Sequence, residues 1–320
     1  MRIVMMGTGP FAVPTFQALL ESDHEVVALV TRPVRPVRGR GGAPINPMKE
    51  VADAAGLAVI SPESINEPNA LEQLKGWAAD LFVVCDYGQI LSADALSLSR
   101  LGGVNLHGSL LPKYRGAAPV QWAVFQGETE TGVTVIHMTP RLDAGPCLAQ
   151  VATPIGADET SEELEPRLSQ LGVPAVLDSI RMLAEHDGES PLGEIQDPSQ
   201  ATKAPRLKKQ DGCVDWSRSA QQIRDQVRAL KPWPGTYTEL AKKGGQPLRL
   251  ILDAVEVADS SQQADDPGTV VLADGKQLHV ATGEGVLAIT HLKPAGKRVM
   301  EVAEFLRGHR IEPGTQLTSG

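Results

Sequence analysis

Cysteine and aromatic residues are both scarce in this chain of 320 residues. It has three cysteines, which are Cys85, Cys147 and Cys213. An odd number of cysteines without a Cys-x-x-Cys pair indicates neither a disulfide framework nor a zinc site, so we expect buried thiols in a reducing cytoplasm and no metal. Only four aromatic residues follow residue 205: Trp216, Trp233, Tyr237 and Phe305. So few rings disfavour a non-enzymatic RNA-binding module, which stacks bases on aromatic side chains.

Long apolar runs and an excess of basic charge are also missing. No run approaches the ~18 apolar residues of a membrane span, and the amino-terminal run is too short for a signal peptide. We therefore expect a cytoplasmic protein that does not bind membranes, and we also expect a monomer. The net charge of −9 argues against a protein that coats nucleic acid. Residues 206–320, however, hold 16 basic and 14 acidic residues, so the acidic excess lies in residues 1–205 and the second part suits a polyanionic partner.

Short apolar runs alternate with helical patterns through roughly the first 190 residues, which is typical of a parallel sheet covered on both faces. The expected fold class is α/β, with a doubly wound, mostly parallel, Rossmann-like sheet over residues 1–206. A helical pattern over residues 159–186 contains Pro174, which lacks a backbone donor and predicts a break at residues 172–174. A segment rich in Pro, Ser and Gly begins at about residue 188 and predicts a linker.

The pattern after residue 206 differs from that of the first part. Short β-like runs are separated by turn signals such as Asp274-Gly275 and Gly283-Glu284-Gly285. This spacing predicts a second, small all-β barrel, similar to the oligonucleotide-binding (OB-like) type, over residues 207–320.

The segment Gly7-Thr8-Gly9-Pro10-Phe11 follows the first predicted strand, and it has two interpretations. In a dinucleotide fingerprint its amides would bind a pyrophosphate, but alanine replaces the third glycine and no acid closes the second strand. The alternative is a tight strand-to-helix turn with Pro10 in the first helical turn. We favour the turn because isolated fingerprints are weak signals.

Residues 32–49 form a basic segment that contains no acidic residue. Its basic residues are Arg32, Arg35, Arg38, Arg40 and Lys49. Four prolines and three glycines in it exclude regular structure. One interpretation is a solvated loop without a function; the other is a clamp for phosphates, which arginine side chains match in geometry. We favour the clamp because long structureless loops in compact domains are usually functional or disordered.

The most informative segment is Gly103–Gln121, in which Asn105 and His107 lie two residues apart on a predicted strand. Alternation along a strand places both side chains on one face, at the carboxyl end where open α/β sheets bind ligands. An amide can donate to a developing oxyanion, and an imidazole can donate to it or exchange protons near neutral pH. Asp143 follows the next predicted strand, where it could orient the imidazole or simply cap a turn.

The stretches that carry these residues resemble a known family. NLHGSLLPKYRGAAPVQ, GVTVIHMTPRLDAGP and the upstream YGQIL resemble the folate-dependent formyltransferases. LKPWPGTY, GTVV and VATGEGVLAITHLKPAGKRVM resemble the carboxyl-terminal domain of those members that act on methionyl-tRNA. The resemblance covers nearly the whole chain, and the combination is far more specific than any single motif.

The resemblance implies roles for particular residues. It makes Asn105, His107 and Asp143 the catalytic trio. It assigns contacts with tetrahydrofolate to a segment that consists of Ser109, Leu110, Leu111 and Pro112. It lines the pterin pocket with residues 87–91 and brings the basic segment, including Arg38 and Arg40, beside the tRNA acceptor end. Three positions depart from the family pattern: Gly108, where alanine is usual; Asp86, where a small apolar residue is expected; and Gly41-Gly42, where lysines often occur.

The reaction implied is direct transfer of a formyl group from 10-formyltetrahydrofolate to the α-amine of initiator methionyl-tRNA. In this mechanism His107 and Asn105 stabilise the oxyanion, while Asp143 orients His107 and helps to remove the amine proton. Two other acceptors remain open. A formyltransferase acting on an amino-sugar nucleotide should not need the basic segment, and a formyl-folate hydrolase would have little use for the second domain.

Overall fold

The structure, a computed structural model, describes residues 1–34, 45–186, 191–241, 245–258 and 266–319. The chain divides into two compact units. The first unit consists of Met1–Val120, Glu130–Pro154 and Glu163–Pro205, and the second of Gln121–Thr129, Ile155–Glu162 and Arg206–Gly320.

Before residue 206 the described chain forms nine strands and six α-helices. The strands are β1 (Arg2–Met6), β2 (Glu25–Val30), β3 (Ala58–Ile60), β4 (Leu81–Cys85), β5 (Gly103–His107), β6 (Arg115–Gly116), β7 (Glu130–His137), β8 (Cys147–Pro154) and β9 (Lys203–Ala204). The helices are α1 (Val13–Leu20), α2 (Pro47–Ala54), α3 (Pro68–Gly76), α4 (Ala93–Leu96), α5 (Pro119–Phe125) and α6 (Ser161–Glu185).

The first unit is built on a seven-stranded sheet in the order β3-β2-β1-β4-β5-β7-β8. Strands β1 to β5 are parallel to one another, and β7 is antiparallel to its two neighbours, β5 and β8. The central strand is apolar on both faces, since Ile3, Val4, Met5 and Met6 are fully buried. The expected doubly wound, mostly parallel α/β class is therefore confirmed.

The chain winds outward from β1 to β3 and then returns to β4 on the other side of β1. This topological switch between β1 and β4 is where open α/β sheets form their ligand crevice. The Gly7–Phe11 segment is a tight turn at this place. The amides of Gly7 and Thr8 donate to the carbonyls of Val30 (3.0 Å) and Asp86 (3.1 Å), and a 3₁₀ turn over Pro10–Ala12 leads into α1.

Helix α6 is continuous from Ser161 to Glu185, so the predicted break at residues 172–174 is wrong. Pro174 lies inside the helix, which buries one side against the sheet through apolar residues that include Leu168 and Val176. The burial of several large side chains outweighs the roughly 3 kcal/mol that an interior proline costs.

The second unit contains an antiparallel sheet in the order β12-β13-β14-β11-β10-β16, with β15 beside β14. Its elements are α7 (Ala220–Ala229), β10 (Thr236–Leu240), β11 (Leu248–Ala258), β12 (Val270–Ala273), β13 (Leu278–Ala281), β14 (Val286–Pro294), β15 (Met300–Glu301), α8 (Val302–Gly308) and β16 (Leu317–Thr318). The predicted second, β-rich domain is confirmed as a half-barrel sheet whose core includes Trp216, Ile223, Leu250 and Phe305.

The predicted linker is wrong for residues 191–205, which are part of the first unit. Glu194 exchanges two backbone hydrogen bonds of 2.8 Å with Cys147, and β9 pairs in parallel with β6. Gln196 is buried. A Pro- and Gly-rich composition excludes helix and regular sheet, but short backbone pairings of this kind leave no periodic pattern in a sequence.

Candidate active site

Asn105 and His107 lie on one face of β5, as strand alternation predicts. The intervening Leu106 points to the other face, where it contacts Gly172 of α6 so closely that a Cβ on that glycine would lie 2.5 Å from the leucine side chain. The His107 side chain is 5% exposed. The helix therefore covers one face of β5 and leaves the two polar side chains on the opposite face.

The His107 ring is held by a hydrogen bond at Nε2 and faces a carboxylate at Nδ1. Nε2 lies 2.9 Å from the carbonyl oxygen of Tyr114, and because a carbonyl only accepts, Nε2 must donate. Nδ1 then faces the Asp143 carboxylate, with a distance of 3.8 Å to Oδ2. That distance is too long for a hydrogen bond but short enough for an ion pair when Nδ1 carries a proton. The geometry thus permits an imidazolium that the Asp143 carboxylate stabilises.

Asp143 does not reach His107 in the way that its position after a strand suggests. Because β7 is antiparallel to β5, its last residue, His137, pairs with Val104 and not with His107. The loop between β7 and β8 brings the carboxylate back to the imidazole. The backbone amide of Gly116 donates to Asp143 Oδ2 at 2.9 Å, and the Asp143 side chain is only 10% exposed.

The side-chain amide of Asn105 makes no hydrogen bond to any part of the chain that the structure describes, and the residue is half-buried. An uncommitted amide beside an oriented imidazole can donate to an oxygen on which negative charge develops. The geometry of these three side chains suits acyl transfer to a nucleophile, with electrostatic stabilisation and proton transfer supplied by side chains.

The segment from Ser109 to Pro112 is fixed by internal bonds. The Ser109 hydroxyl donates to the Lys113 carbonyl (2.8 Å), while the Thr134 hydroxyl donates to the Ser109 carbonyl (2.7 Å) and accepts from the Leu111 amide (3.1 Å). Ser109 and Leu111 are buried, whereas Leu110 and Pro112 are half-buried. A ligand can therefore touch the apolar surface of Leu110 and Pro112 more readily than the serine hydroxyl.

The loop from Tyr87 to Leu91 contains an unsatisfied polar group. The Tyr87 hydroxyl is buried and has no hydrogen-bond partner among the described residues, and burial raises the pKa of this phenol well above its ordinary value, with Arg32 opposing. The Gln89 side chain accepts from the Ile65 amide (2.7 Å) and donates to the Pro62 carbonyl (3.1 Å), which fixes the loop. A buried donor without a partner is costly, so this loop fits a ligand with hydrogen-bonding edges.

Asp86 is the first residue of the loop after β4, and its side chain lies against the loop after β1. The residue as a whole reaches solvent, but its carboxylate packs on Gly9, whose amide donates to it. Burial and the nearby Glu165 raise the pKa of Asp86 to about 6, against the opposing influence of Arg32 and the Gly9 amide.

A family profile described as formyl transferase matches residues 1–180, which is more than half of the chain. The chain belongs to the formyl transferase family. A second profile, described as formyl transferase, C-terminal domain, matches residues 206–310. A methionyl-tRNA formyltransferase of Rhodopirellula baltica is 48% identical over 325 residues, which covers 99% of this chain and 96% of the relative.

Solved structures show the same fold at low sequence identity. An N-formyltransferase from Helicobacter canadensis, in complex with folinic acid and dTDP-3-aminofucose, has a TM-score of 0.62 at 14% identity and covers 90% of this chain and 97% of that one. HypX from Aquifex aeolicus in complex with tetrahydrofolic acid has a TM-score of 0.58 at 18% identity; 96% of this chain is covered, but it spans only 47% of HypX.

The two residues predicted to bind tRNA, Arg38 and Arg40, fall outside the residues that the structure describes. Within the described ranges no group of three or more His, Cys, Asp or Glu side chains could hold a metal ion. None of the helices described is both long and apolar enough to cross a membrane.

No sequence pattern points to three polar residues that shape the formyl transferase site. Thr134 and Gln150 bind the Leu111 backbone region, with the Gln150 amide 2.9 Å from the Leu111 carbonyl. Gln196 donates to the carbonyls of Asp143 (2.9 Å) and Gly145 (2.7 Å). Each is an isolated polar residue in a strand or an irregular segment, and only its distant partners reveal its role.

Proposed function

We propose that this chain transfers the formyl group of 10-formyltetrahydrofolate to the α-amine of initiator methionyl-tRNA, which yields N-formylmethionyl-tRNA for translation initiation. The observation that carries the proposal is the 48% identity to the Rhodopirellula baltica methionyl-tRNA formyltransferase over 99% of the chain. Because this identity includes the second unit, it supports the acceptor as well as the chemistry.

Three side chains perform the reaction in this proposal. Asn105 donates to the formyl oxygen as negative charge develops on it, since its amide has no competing partner in the described chain. His107, held through Nε2 by the Tyr114 carbonyl and facing Asp143 through Nδ1, stabilises the same oxyanion by its positive charge. Asp143 stabilises the charged imidazole and helps to accept the proton of the attacking amine.

The residues at the switch point fit a folate. The Tyr87 hydroxyl is an orphaned buried donor in the loop proposed to line the pterin pocket. The half-buried side chains of Leu110 and Pro112 offer apolar contact beside the fixed Ser109 and Leu111 backbone. The donor, when bound, supplies the activated formyl group, and the protein orients it next to Asn105.

The remaining assignments concern tRNA and the form of the protein. Residues 1–206 act as the catalytic domain and residues 207–320 as a tRNA-binding domain. Arg38 and Arg40 contact phosphates near the acceptor end. The protein works as a cytoplasmic monomer and uses no metal, because hydrogen bonds alone can polarise a formamide carbonyl.

An acceptor assay tests the proposal. Purified protein and 10-formyltetrahydrofolate are incubated with initiator methionyl-tRNA, with dTDP-3-aminofucose, or with water alone as the acceptor. We expect rapid formylation of the tRNA only. Faster formylation of the sugar would favour the activity named for the Helicobacter canadensis neighbour, and donor hydrolysis without any acceptor would favour a formyl-folate hydrolase.

A further inference from the structure

A strap, residues 196–204, runs beside the segment that holds His107. Its Thr202 carbonyl accepts from the amide of Arg115 (2.9 Å), and its Thr202 hydroxyl accepts from the amide of Tyr114 (2.8 Å). The Tyr114 carbonyl in turn accepts from His107 Nε2. The strap therefore fixes the carbonyl that sets the orientation of the imidazole.

The first residue of the strap, Gln196, holds Asp143, which faces His107. Its amide nitrogen donates to the backbone carbonyls of Asp143 (2.9 Å) and Gly145 (2.7 Å). Its amide oxygen accepts from the guanidinium of Arg115, at 2.6 Å from Nη2 and 3.2 Å from Nε. Gln196 is 8% exposed, and these bonds use both ends of its side chain.

Asp143 needs such support, because its φ of +49° lies in the left-handed region that non-glycine residues rarely adopt. The loop from β7 to β8 contains three exposed residues, Pro140, Arg141 and Leu142, which contribute little burial to hold it. The two carbonyl bonds from Gln196 and the Gly116 amide on the carboxylate are the constraints that place Asp143 near Nδ1 of His107.

We propose that Gln196 is a positioning residue for formyl transfer, which fixes Asp143 in relation to His107. The inference rests on the proposed function, since it assigns Gln196 a role only if Asp143 and His107 act in the reaction. Gln196 touches no reacting atom itself. Its effect on turnover passes through the backbone of Asp143.

The sharpest variant is Gln196→Glu. A carboxylate keeps the contact with Arg115 but cannot donate to the two carbonyls, which it would repel. We expect kcat with methionyl-tRNA to fall by about 10- to 100-fold, on the scale that a misplacement of about 1 Å produces. The KM values for both substrates should change little, because neither the folate contacts nor the tRNA contacts involve Gln196.

A matched pair separates positioning from mere stability. Gln226 in α7 is also a buried glutamine whose amide donates to two carbonyls, those of Asp211 (2.9 Å) and Cys213 (3.0 Å). Gln196→Leu and Gln226→Leu should both lower the melting temperature. Only Gln196→Leu should lower kcat per folded molecule, measured well below both melting temperatures. An equal kcat loss in the two variants, or in neither, would refute the inference.

A double-mutant cycle with Asp143→Asn completes the test. If Gln196 acts through Asp143, Gln196→Glu should cost little further activity once the carboxylate is gone. Multiplicative losses would show that Gln196 acts elsewhere. An Asp143→Asn protein with full activity would instead overturn the proposed catalytic trio. Multiplicative losses refute only the role of Gln196, so the two outcomes are distinguishable.

The strap offers a second variant if Gln196 replacements do not fold. Thr202→Val removes the acceptor of the Tyr114 amide but keeps the backbone carbonyl, and Thr202→Ser restores the hydroxyl. We expect a lower kcat for the valine variant and recovery in the serine variant. Full activity in Thr202→Val would contradict the role of the strap.

Discussion

The carboxylate of Asp86 lies over Gly9, in the space that a side chain at position 9 would occupy. The guanidinium of Arg32 lies over Gly88 in a similar way, 3.1 Å from where its Cβ would be. Asp86 adopts a φ of +47°, which disfavours most side chains. The family pattern has a small apolar residue at position 86. The acid found there fits because position 9, on the neighbouring loop, is a glycine whose missing side chain leaves room for the carboxylate.

The first prediction concerns Asp86 and pH. Its pKa in the folded protein is raised to about 6, above the ~3.9 of an unfolded chain, so folding favours the protonated form. The stability that this proton contributes is fully present below about pH 4 and is lost as the pH rises through about 6. Asp86→Asn cannot ionise and tolerates the backbone angle. The melting temperature of Asp86→Asn, relative to that of the wild type, should therefore rise between pH 4 and pH 7.

Asp80 serves as a control of opposite sign. The amide of Arg2 and then the Arg100 guanidinium lower the pKa of Asp80, so its ionised form stabilises the fold above the unfolded pKa. Asp80→Asn should lower the melting temperature by a similar amount from pH 7 down to about pH 4, and should matter less only as the pH falls below the unfolded pKa of ~3.9. Melting curves from pH 2 to 7 for both variants check this; a constant offset for Asp86→Asn between pH 4 and pH 7 would mean that its carboxyl titrates normally.

The second prediction concerns Asn105 as a donor. Asn105→Ala should lower turnover by about 10²–10³-fold, the usual effect of losing one oxyanion donor, with little change in folate binding. Asn105→Asp keeps the shape but cannot donate, so it should lose at least as much. Single-turnover rates with saturating substrates are the measurement. Near wild-type turnover in either variant would remove Asn105 from the mechanism.

The third prediction treats His107 and Asp143 as one functional unit, because Nδ1 and Oδ2 lie 3.8 Å apart. His107→Ala and Asp143→Asn should each reduce kcat severely, and asparagine should keep the loop because it accepts a positive φ. The double variant should cost much less than the product of the two single losses. Multiplicative losses in the rates of all four proteins would show that the two residues act independently.

The fourth prediction concerns Arg38 and Arg40, whose role comes from the basic segment in the sequence. Replacing both with alanine should raise the KM for methionyl-tRNA and leave chemistry on a minimal amine acceptor unchanged. Each lost phosphate contact should flatten the plot of log K against log salt by about 0.7–0.9. A salt titration of tRNA affinity measures this, with melting curves as the control for folding.

Parallel salt slopes with unchanged affinity for the double arginine variant would make the basic segment a bystander. An amino-sugar acceptor would then deserve a renewed test, because such an acceptor does not require this segment.

Much of the fold followed from local patterns in the sequence. Alternating apolar runs and helical periods indicated the α/β sheet, because a strand or helix buried on defined faces repeats its apolar residues at a fixed period. The same period of two placed Asn105 and His107 on one face of β5. The resemblance of whole stretches such as NLHGSLLPKYRGAAPVQ pointed to the family, which the profile match then showed.

The tertiary structure decided what depends on distant contacts. Asp143 reaches His107 through a loop that returns from an antiparallel strand, and Gln196 holds that loop from 53 residues further along the chain. The predicted helix break and linker were wrong because burial along α6 and backbone pairing at β6 and β9 override local composition. Irregular segments carry no period, so the partners that stabilise them appear only when the chain has folded.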